Sequence, residues 1–209
     1  MTDRYVHRPQ LWIVAGPNGA GKTTLTGKHF AGRLPVVNPD EIAQRINPNH
    51  QGSRATMLQA GRLAIAEQRA LLSKGKSFVV ETTLTGKREL KLIQQASSLG
   101  YKVNLLFVGV HDVQLSASRV AQRVAVGGHA VPAEDIFRRF SVSLANLGTA
   151  LPLVDRALVL DNSGLKRQLV LSVEKGQLKY GARNPPEWAK KAIPESLQRE
   201  ASQRRAMRL

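Results

Sequence analysis

The segment Gly16-Pro17-Asn18-Gly19-Ala20-Gly21-Lys22-Thr23 constrains this chain more than any other stretch of it. Three glycines in six residues let the backbone curl so that successive N–H groups point inward, which makes a nest for an anion. Lys22 and Thr23 follow at once, placing an ammonium and a hydroxyl at a helix start, where the helix dipole also favours negative charge. Before the loop, Leu11-Trp12-Ile13-Val14-Ala15 is a continuous apolar run, the pattern of a strand buried on both faces of a parallel sheet. Strand, glycine loop and helix in that order form a P-loop. Its backbone amides curl around a β-phosphate, Lys22 reaches the β- and γ-phosphates, and the Thr23 hydroxyl is the expected Mg²⁺ ligand. Residues Gly16 to Thr24 are therefore the candidate ATP site, the bland alternative being a Gly-rich turn that happens to precede Lys-Thr-Thr.

Downstream, strands and helices alternate. Lys22 towards Phe30 is predicted helical, and Pro35-Val36-Val37 is a short strand opening onto Asn38-Pro39-Asp40. After a polar loop from Asn47 to Gly52, Ser53 is placed to cap a helix. Met57, Ala60, Leu63, Ala64, Ala66, Ala70 and Leu71 then recur at helical spacing up to Lys74-Gly75. Ser77 to Val80 is predicted as a buried strand ending at Glu81-Thr82-Thr83, followed by a helix from Lys87 to Leu99 stopped by Gly100, and a strand from Val103 to Val110. Asp112 or Ser116 opens a helix that breaks at Gly127-Gly128, Pro132 sits near the start of another, and Arg156 to Leu160 is the last core strand. This alternation predicts an α/β three-layer sandwich with a mostly parallel, doubly wound sheet. Gln168 to Val173 and Gln177 to Tyr180 flank Glu174-Lys175-Gly176 as a small C-terminal β-hairpin added at an edge. Residues 1–183 are expected to form one domain, with a helical lid over 119–140 and the hairpin over 167–181. Residues 184–209 are expected to be a basic C-terminal tail, partly disordered.

Charge bears on partners. The 31 Lys and Arg against 15 Asp and Glu give a formal net charge of +16, which attracts polyanions: nucleic acid, nucleotides or an acidic protein. The excess collects from Arg119 to Arg139 and in the tail, at Lys190, Lys191, Arg199, Arg204, Arg205 and Arg208. Aromatic residues are only 5% of the chain, which leaves little for stacking bases. With no cysteine, disulfides, thiolate catalysis and Cys-ligated metals are excluded, and a cytoplasmic location is expected. No run reaches the roughly 18 apolar residues of a membrane span, so a soluble chain is expected.

Two carboxylates stand where an acceptor would meet the phosphates. Asp40 follows the second strand and Glu81 ends the third, and in an open parallel sheet both strand ends face the P-loop crevice. A hydroxyl acceptor needs a carboxylate to orient it and take its proton, and Asp40 is placed for that, although it could also be the N-cap of a helix starting at Glu41-Ile42. Glu81 fits ligand or metal work, or a strand end facing water. Arg119, Arg123, Arg138 and Arg139, around Gly127-Gly128-His129, form either a phosphate-closing lid or a basic solvated helix pair. His129 alone could be an ordinary loop histidine.

Taken together, Ala15 to Thr24, Val37-Asn38-Pro39-Asp40-Glu41-Ile42-Ala43, Phe78-Val79-Val80-Glu81-Thr82-Thr83-Leu84 and Arg119 to Pro132 resemble the zeta-toxin family of P-loop kinases, especially its short bacterial members. The resemblance covers roughly Leu11 to Asn162. It implies a P-loop kinase-like fold and an ATP- and Mg²⁺-dependent kinase whose acceptor is a UDP-amino sugar. It also implies Lys22 and Thr23 serving ATP and Mg²⁺, Asp40 as base, Glu81 in the sugar site with Thr82, Thr83 and His129 beside it, and Arg119 with Arg123 acting on the phosphates. Where long-chain members carry a second lid arginine, this chain has His129, so that role falls to Arg123 or Arg139. A small acidic antitoxin is an implied partner.

Overall fold

The chain was analysed as a computed structural model that describes residues 8–48, 53–128 and 130–206. The end of the 47–52 loop, His129 and Arg208 lie outside the described residues. The elements run β1 (Gln10–Ala15), α1 (Lys22–Phe30), β2 (Val36–Val37), α2 (Pro39–Ile46), α3 (Arg54–Ser73), β3 (Phe78–Thr82), α4 (Lys87–Ser98), β4 (Lys102–Gly109), α5 (Val113–Ala125), α6 (Ala133–Ala150), β5 (Arg156–Asp161), β6 (Gln168–Glu174), β7 (Gln177–Gly181), α7 (Glu187–Ala192) and α8 (Glu195–Ala206). The strands form one sheet in the order β2-β3-β1-β4-β5-β6-β7. The first five are parallel to their neighbours, with Ile13 opposite Val80 on one side and Leu105 on the other. Strands β6 and β7 join antiparallel at the β5 edge, where the hairpin was expected.

The continuous apolar runs are explained by burial on both faces. Leu11, Ile13, Ala15, Phe78 and Val80 face a core shared with α3, α4 and α6, whereas Val14, Val79, Leu106 and Val108 face a second core with Leu25 and Phe30 of α1. Both cores are mainly aliphatic, as the low aromatic content requires. Because β1 lies between β3 and β4, the carboxyl ends of these strands open onto one crevice, with Ala15 in register with Thr82 and Phe107.

Two local expectations change. The cap of α2 is Asn38, not Asp40: its Oδ1 accepts the Asp40 N–H at 3.0 Å, with Pro39 in the first turn. Asp40 thereby lies inside the first turn of α2 and not at its cap. The segment from 184 onward is ordered through Ala206 as α7 and α8. Its anchor is Trp188, 3% exposed, whose Nε1 donates to Asp161 Oδ1 at 2.8 Å and whose ring lies against Gly109. A Cβ on Gly109 would come within 2.4 Å of that ring, so the close approach depends on glycine. Helix α8 covers the β7 edge, where the Arg204 guanidinium donates to Leu178 O and Arg205 to Ala182 O at 3.0 Å. A carbonyl row that would otherwise be an open sheet edge is thus satisfied by side chains that look like a solvated basic run in sequence.

Candidate active site

The glycine loop connects β1 to α1 and is shaped by what it touches. Gly16 has φ +139°, and a Cβ there would lie 2.1 Å from Val108 O; Gly21 has φ +90°, with Asn162 Nδ2 2.7 Å from the Cβ position. Only glycine meets both demands at these two positions. The loop is also held from outside. Ser116 Oγ on α5 donates to Asn18 O, and Asn162 Nδ2, just past β5, donates to Ala20 O at 2.9 Å. Asn18, Gly19, Gly21, Lys22, Thr23 and Thr24 line the cleft, whereas Gly16, Pro17 and Ala20 shape the loop from behind.

Lys22 is 9% exposed and its Nζ donates to Pro17 O at 2.9 Å. Burial pushes its ammonium below the usual lysine range; Glu81 and Asp40 oppose that shift, and Arg123 and Arg139 reinforce it. These four charged groups therefore act on the space around Lys22. Glu81 is 6% exposed, which removes the water-facing reading of that strand-end carboxylate. Its Oε1 accepts from Thr23 Oγ1 at 2.6 Å, and its buried Oε2 has no hydrogen bond of regular geometry among the described residues, although the Thr26 hydroxyl acts on the same carboxylate. Burial raises its carboxyl above the usual glutamate range, against the pull of Lys22 and of the Thr23 hydrogen bond. A threonine hydroxyl beside a buried carboxylate oxygen is the hard-oxygen donor set that magnesium takes together with phosphates.

These groups line one cleft of about 780 Å³ above the sheet's carboxyl edge, within the size range of small-molecule sites. Asp40, Glu81, Thr82 and Thr83 line it from the β2 and β3 ends, and Arg119 and Arg123 of α5 with Arg139 of α6 line it from the lid. Arg119 is tied back, its Nη1 donating to Asn162 O at 2.8 Å, beside Gly19. Arg138 does not line the cleft; it pairs with Asp135 at 2.6 Å and its side chain is 65% exposed. The turn after β3 is pinned. Buried Leu84 has φ +56°, its N–H donates to Thr82 Oγ1 at 3.0 Å, and its carbonyl accepts from Asn146 Nδ2 of α6 at 2.8 Å. A left-handed, buried leucine is the kind of strain that persists where surrounding contacts fix a functional turn.

Sequence reasoning missed several lining residues: Asn38, Gln68, Glu89 and Asn162. Gln68 had a signal, because it continues the buried row Thr56, Ala60, Ala64, Gln68, Leu72 at four-residue spacing, a polar group where the helix face is otherwise packed. The signal for Asn162 was its place just after the last core strand.

Comparisons with known proteins bear on the family and the fold. An uncharacterized protein of Haemophilus influenzae is 33% identical over 138 residues, covering 63% of this chain and 96% of that protein. Among solved structures, a chain of the AvrRxo1-ORF1:-ORF2 complex with ATP superposes with a TM-score of 0.69 at 22% identity, over 88% of this chain and 62% of that one. This chain therefore spans a little under two thirds of that protein's length. A structure from the PezAT chromosomal toxin-antitoxin system of Streptococcus pneumoniae gives a TM-score of 0.62 at 16% identity, over 96% and 87% of the two chains. The family described as AAA domain, AAA_33, matches residues 11–139, more than half of the chain. With its strand order, glycine loop and cleft, the chain belongs to that AAA domain family and has a P-loop kinase-like α/β fold.

Proposed function

We propose that this chain is an ATP-dependent kinase that transfers the γ-phosphoryl group to a hydroxyl of a small molecule. The observation that carries it is the convergence of Lys22, Thr23, Glu81 and Asp40 on one cleft beneath arginines of α5 and α6. Backbone N–H groups from Asn18 to Thr24 hold the β-phosphate, and Lys22 leaves Pro17 O to bridge the β- and γ-phosphates. Thr23 and Glu81 would hold Mg²⁺, which supplies charge neutralisation on the β- and γ-oxygens. That reading moves Glu81 from a sugar contact to the metal side, because its Oε1 already engages the Thr23 hydroxyl.

Asp40 orients the acceptor hydroxyl and takes its proton as the acceptor oxygen bonds to the γ-phosphorus and the bond to the β–γ bridging oxygen breaks, releasing ADP. Arg123 and Arg139, which act on the same space as Lys22, stabilise the charge on the moving phosphoryl group. Arg119, held at Asn162 beside the loop, binds nucleotide instead of serving the reacting atoms. Thr82 and Thr83 border the acceptor. The resemblance to zeta-toxin kinases makes a UDP-amino sugar the first acceptor to try. Mass-spectrometric screening of a metabolite pool with Mg-ATP, comparing wild type with Lys22→Ala, tests the reading: phosphorylated product from wild type alone is expected. Product from both proteins, or from neither, would sink it.

A protein inhibitor seated over the cleft is a second reading, favoured by the net charge of +16 and by the likeness to a component of a toxin-antitoxin system. Co-purification with a small acidic protein that suppresses ATP turnover tests it. A nucleic-acid end kinase has less support, since Arg204 and Arg205 of the basic tail are committed to β7 and the segment after it. End-labelling of oligonucleotides with a steep salt dependence is the measurement that would revive it.

A further inference from the structure

Charge is sorted across the cleft in a way that bears on the acceptor, if the kinase reading above holds. The strand order puts β2 and β3 on one side of the glycine loop and β4 and β5 on the other. From the β4/β5 side and the lid come Arg119, Arg123 and Arg139, which with Lys22 face the space for the triphosphate. From the β2/β3 side come Asp40, Glu41 and Glu89, with Arg88 as their one lining cation among the described residues, while Glu81 stands at the junction with the proposed metal site. In the whole chain basic residues outnumber acidic ones by 31 to 15; on this wall the ratio is reversed. Arg88 is itself half exposed and lies 3.8 Å from Glu89.

Two polar side chains on this wall can meet a ligand. Gln68 of α3 is 7% exposed, borders the cleft, and has no side-chain hydrogen bond among the described residues. Glu89 of α4 is held by Thr82, whose hydroxyl donates to its Oε1 at 3.4 Å, while its Oε2 is buried without a partner among the described residues. The Gln68 amide offers the cleft both a donor and an acceptor, and Glu89, with its side chain 14% exposed, offers a carboxylate whose Oε2 lies over Gly86. A second diphosphate meets the opposite: carboxylates on the wall, and the cluster of cations already facing the nucleotide.

We infer that the acceptor is an uncharged or cationic polyhydroxyl compound, of the chemical class of hexoses and amino sugars, bound on the β2/β3 side between Gln68 and Glu89. Glu89 accepts hydrogens from its hydroxyl or ammonium groups, Gln68 both donates and accepts, and Asp40 faces the hydroxyl that receives the phosphoryl group. Polyanionic acceptors, including nucleic-acid ends and the UDP-amino sugar that the family resemblance suggests, are disfavoured by the acidic wall, so this inference departs from that resemblance.

The test is a competition among defined acceptors. The purified chain is given Mg-ATP with glucosamine, glucose, UDP-N-acetylglucosamine or a 5′-hydroxyl oligonucleotide, and ADP and phosphorylated product are both quantified. Glucosamine or glucose is expected to exceed UDP-N-acetylglucosamine in kcat/KM by about tenfold or more. Glu89→Gln should raise KM for glucosamine more than for glucose, with kcat within about threefold of wild type. Glu89→Lys should shift preference towards UDP-N-acetylglucosamine. Because Glu89 opens α4 and its variants could disturb folding, Gln68→Leu provides an independent check, raising KM for both sugars without reordering them. If UDP-N-acetylglucosamine or the oligonucleotide is the preferred acceptor, this inference is overturned while the kinase reading stands. If ATP binds and neither glucosamine nor glucose is phosphorylated, this inference falls, while the kinase reading is decided by the metabolite-pool screen.

Discussion

In the proposed reading, the phosphate cradle on the nucleotide side of the cleft comes from contiguous residues, Asn18 to Thr24, and is made mostly of backbone. On the acceptor side, Asp40, Gln68 and Glu89 come from three helices and act only through side chains. The first half is specified by steric necessity, since Gly16 and Gly21 have positive φ and no room for a Cβ. The second is specified by electrostatics and shape and is free to vary without disturbing the sheet. In the proposed kinase, phosphate handling would thereby be built into the fold, while acceptor choice would be set on top of it. The cradle is not self-sufficient, however: Asn162 braces Ala20, and Asn162 follows Asp161, which Trp188 of the C-terminal helices holds in place.

The contrast can be broken at several points. Lys22→Ala should lower kcat by about 10²–10³-fold, because a cation acting on the transferring group is lost. Its melting temperature should not fall, since a buried ammonium is removed; equal loss of activity and stability in a melting assay would mean that Lys22 is structural. Trp188→Ala should cost about 3–5 kcal/mol of stability by denaturant unfolding, as for other large buried aromatics. If the brace through Asp161 and Asn162 matters, the folded variant should also bind ATP more weakly. Unchanged ATP affinity would make the C-terminal helices a mere edge cover.

Among the arginines, Arg123→Ala should lower kcat by about 10²-fold, whereas Arg119→Ala should raise KM for ATP about tenfold with kcat within about threefold. The reverse pattern would return Arg119 to the reacting atoms. The smallest effect is a pH dependence. Burial holds Glu81 above the usual carboxyl range, and magnesium nucleotide favours its ionised form. Affinity for magnesium nucleotide should therefore strengthen as pH rises through the raised Glu81 pKa, with protons released on binding there. Calorimetry in two buffers of different ionisation enthalpy should detect that release in wild type and lose it in Glu81→Gln.

The sheet and the cradle were legible in the sequence because their constraints are local: unbroken apolar runs for two-sided burial, and glycines where no Cβ fits. Asp40 and Glu81 were legible as strand-end carboxylates, because the topology sends both ends to one crevice. What escaped depends on distant partners. Asn38 looked like a loop residue, yet it caps α2 and so leaves Asp40 to the cleft. Helix α8 buries Ala201 and half-buries Leu197, too little apolar surface to mark it as packed, and its arginines find their partners on β7 and just beyond it. Glu89 lies at the start of an amphipathic helix, where a glutamate is ordinary; only the fold brings its Oε1 to the Thr82 hydroxyl and its side chain into the cleft lining.

Single-turnover transfer from radiolabelled ATP by Asp40→Asn, with nucleotide affinity measured on the same preparation, bears most directly on the kinase assignment. The expected result is ATP affinity within about threefold of wild type and transfer slower by about 10²-fold or more, the loss that removal of a positioned general base produces. Transfer by the variant at nearly the wild-type rate would contradict the account.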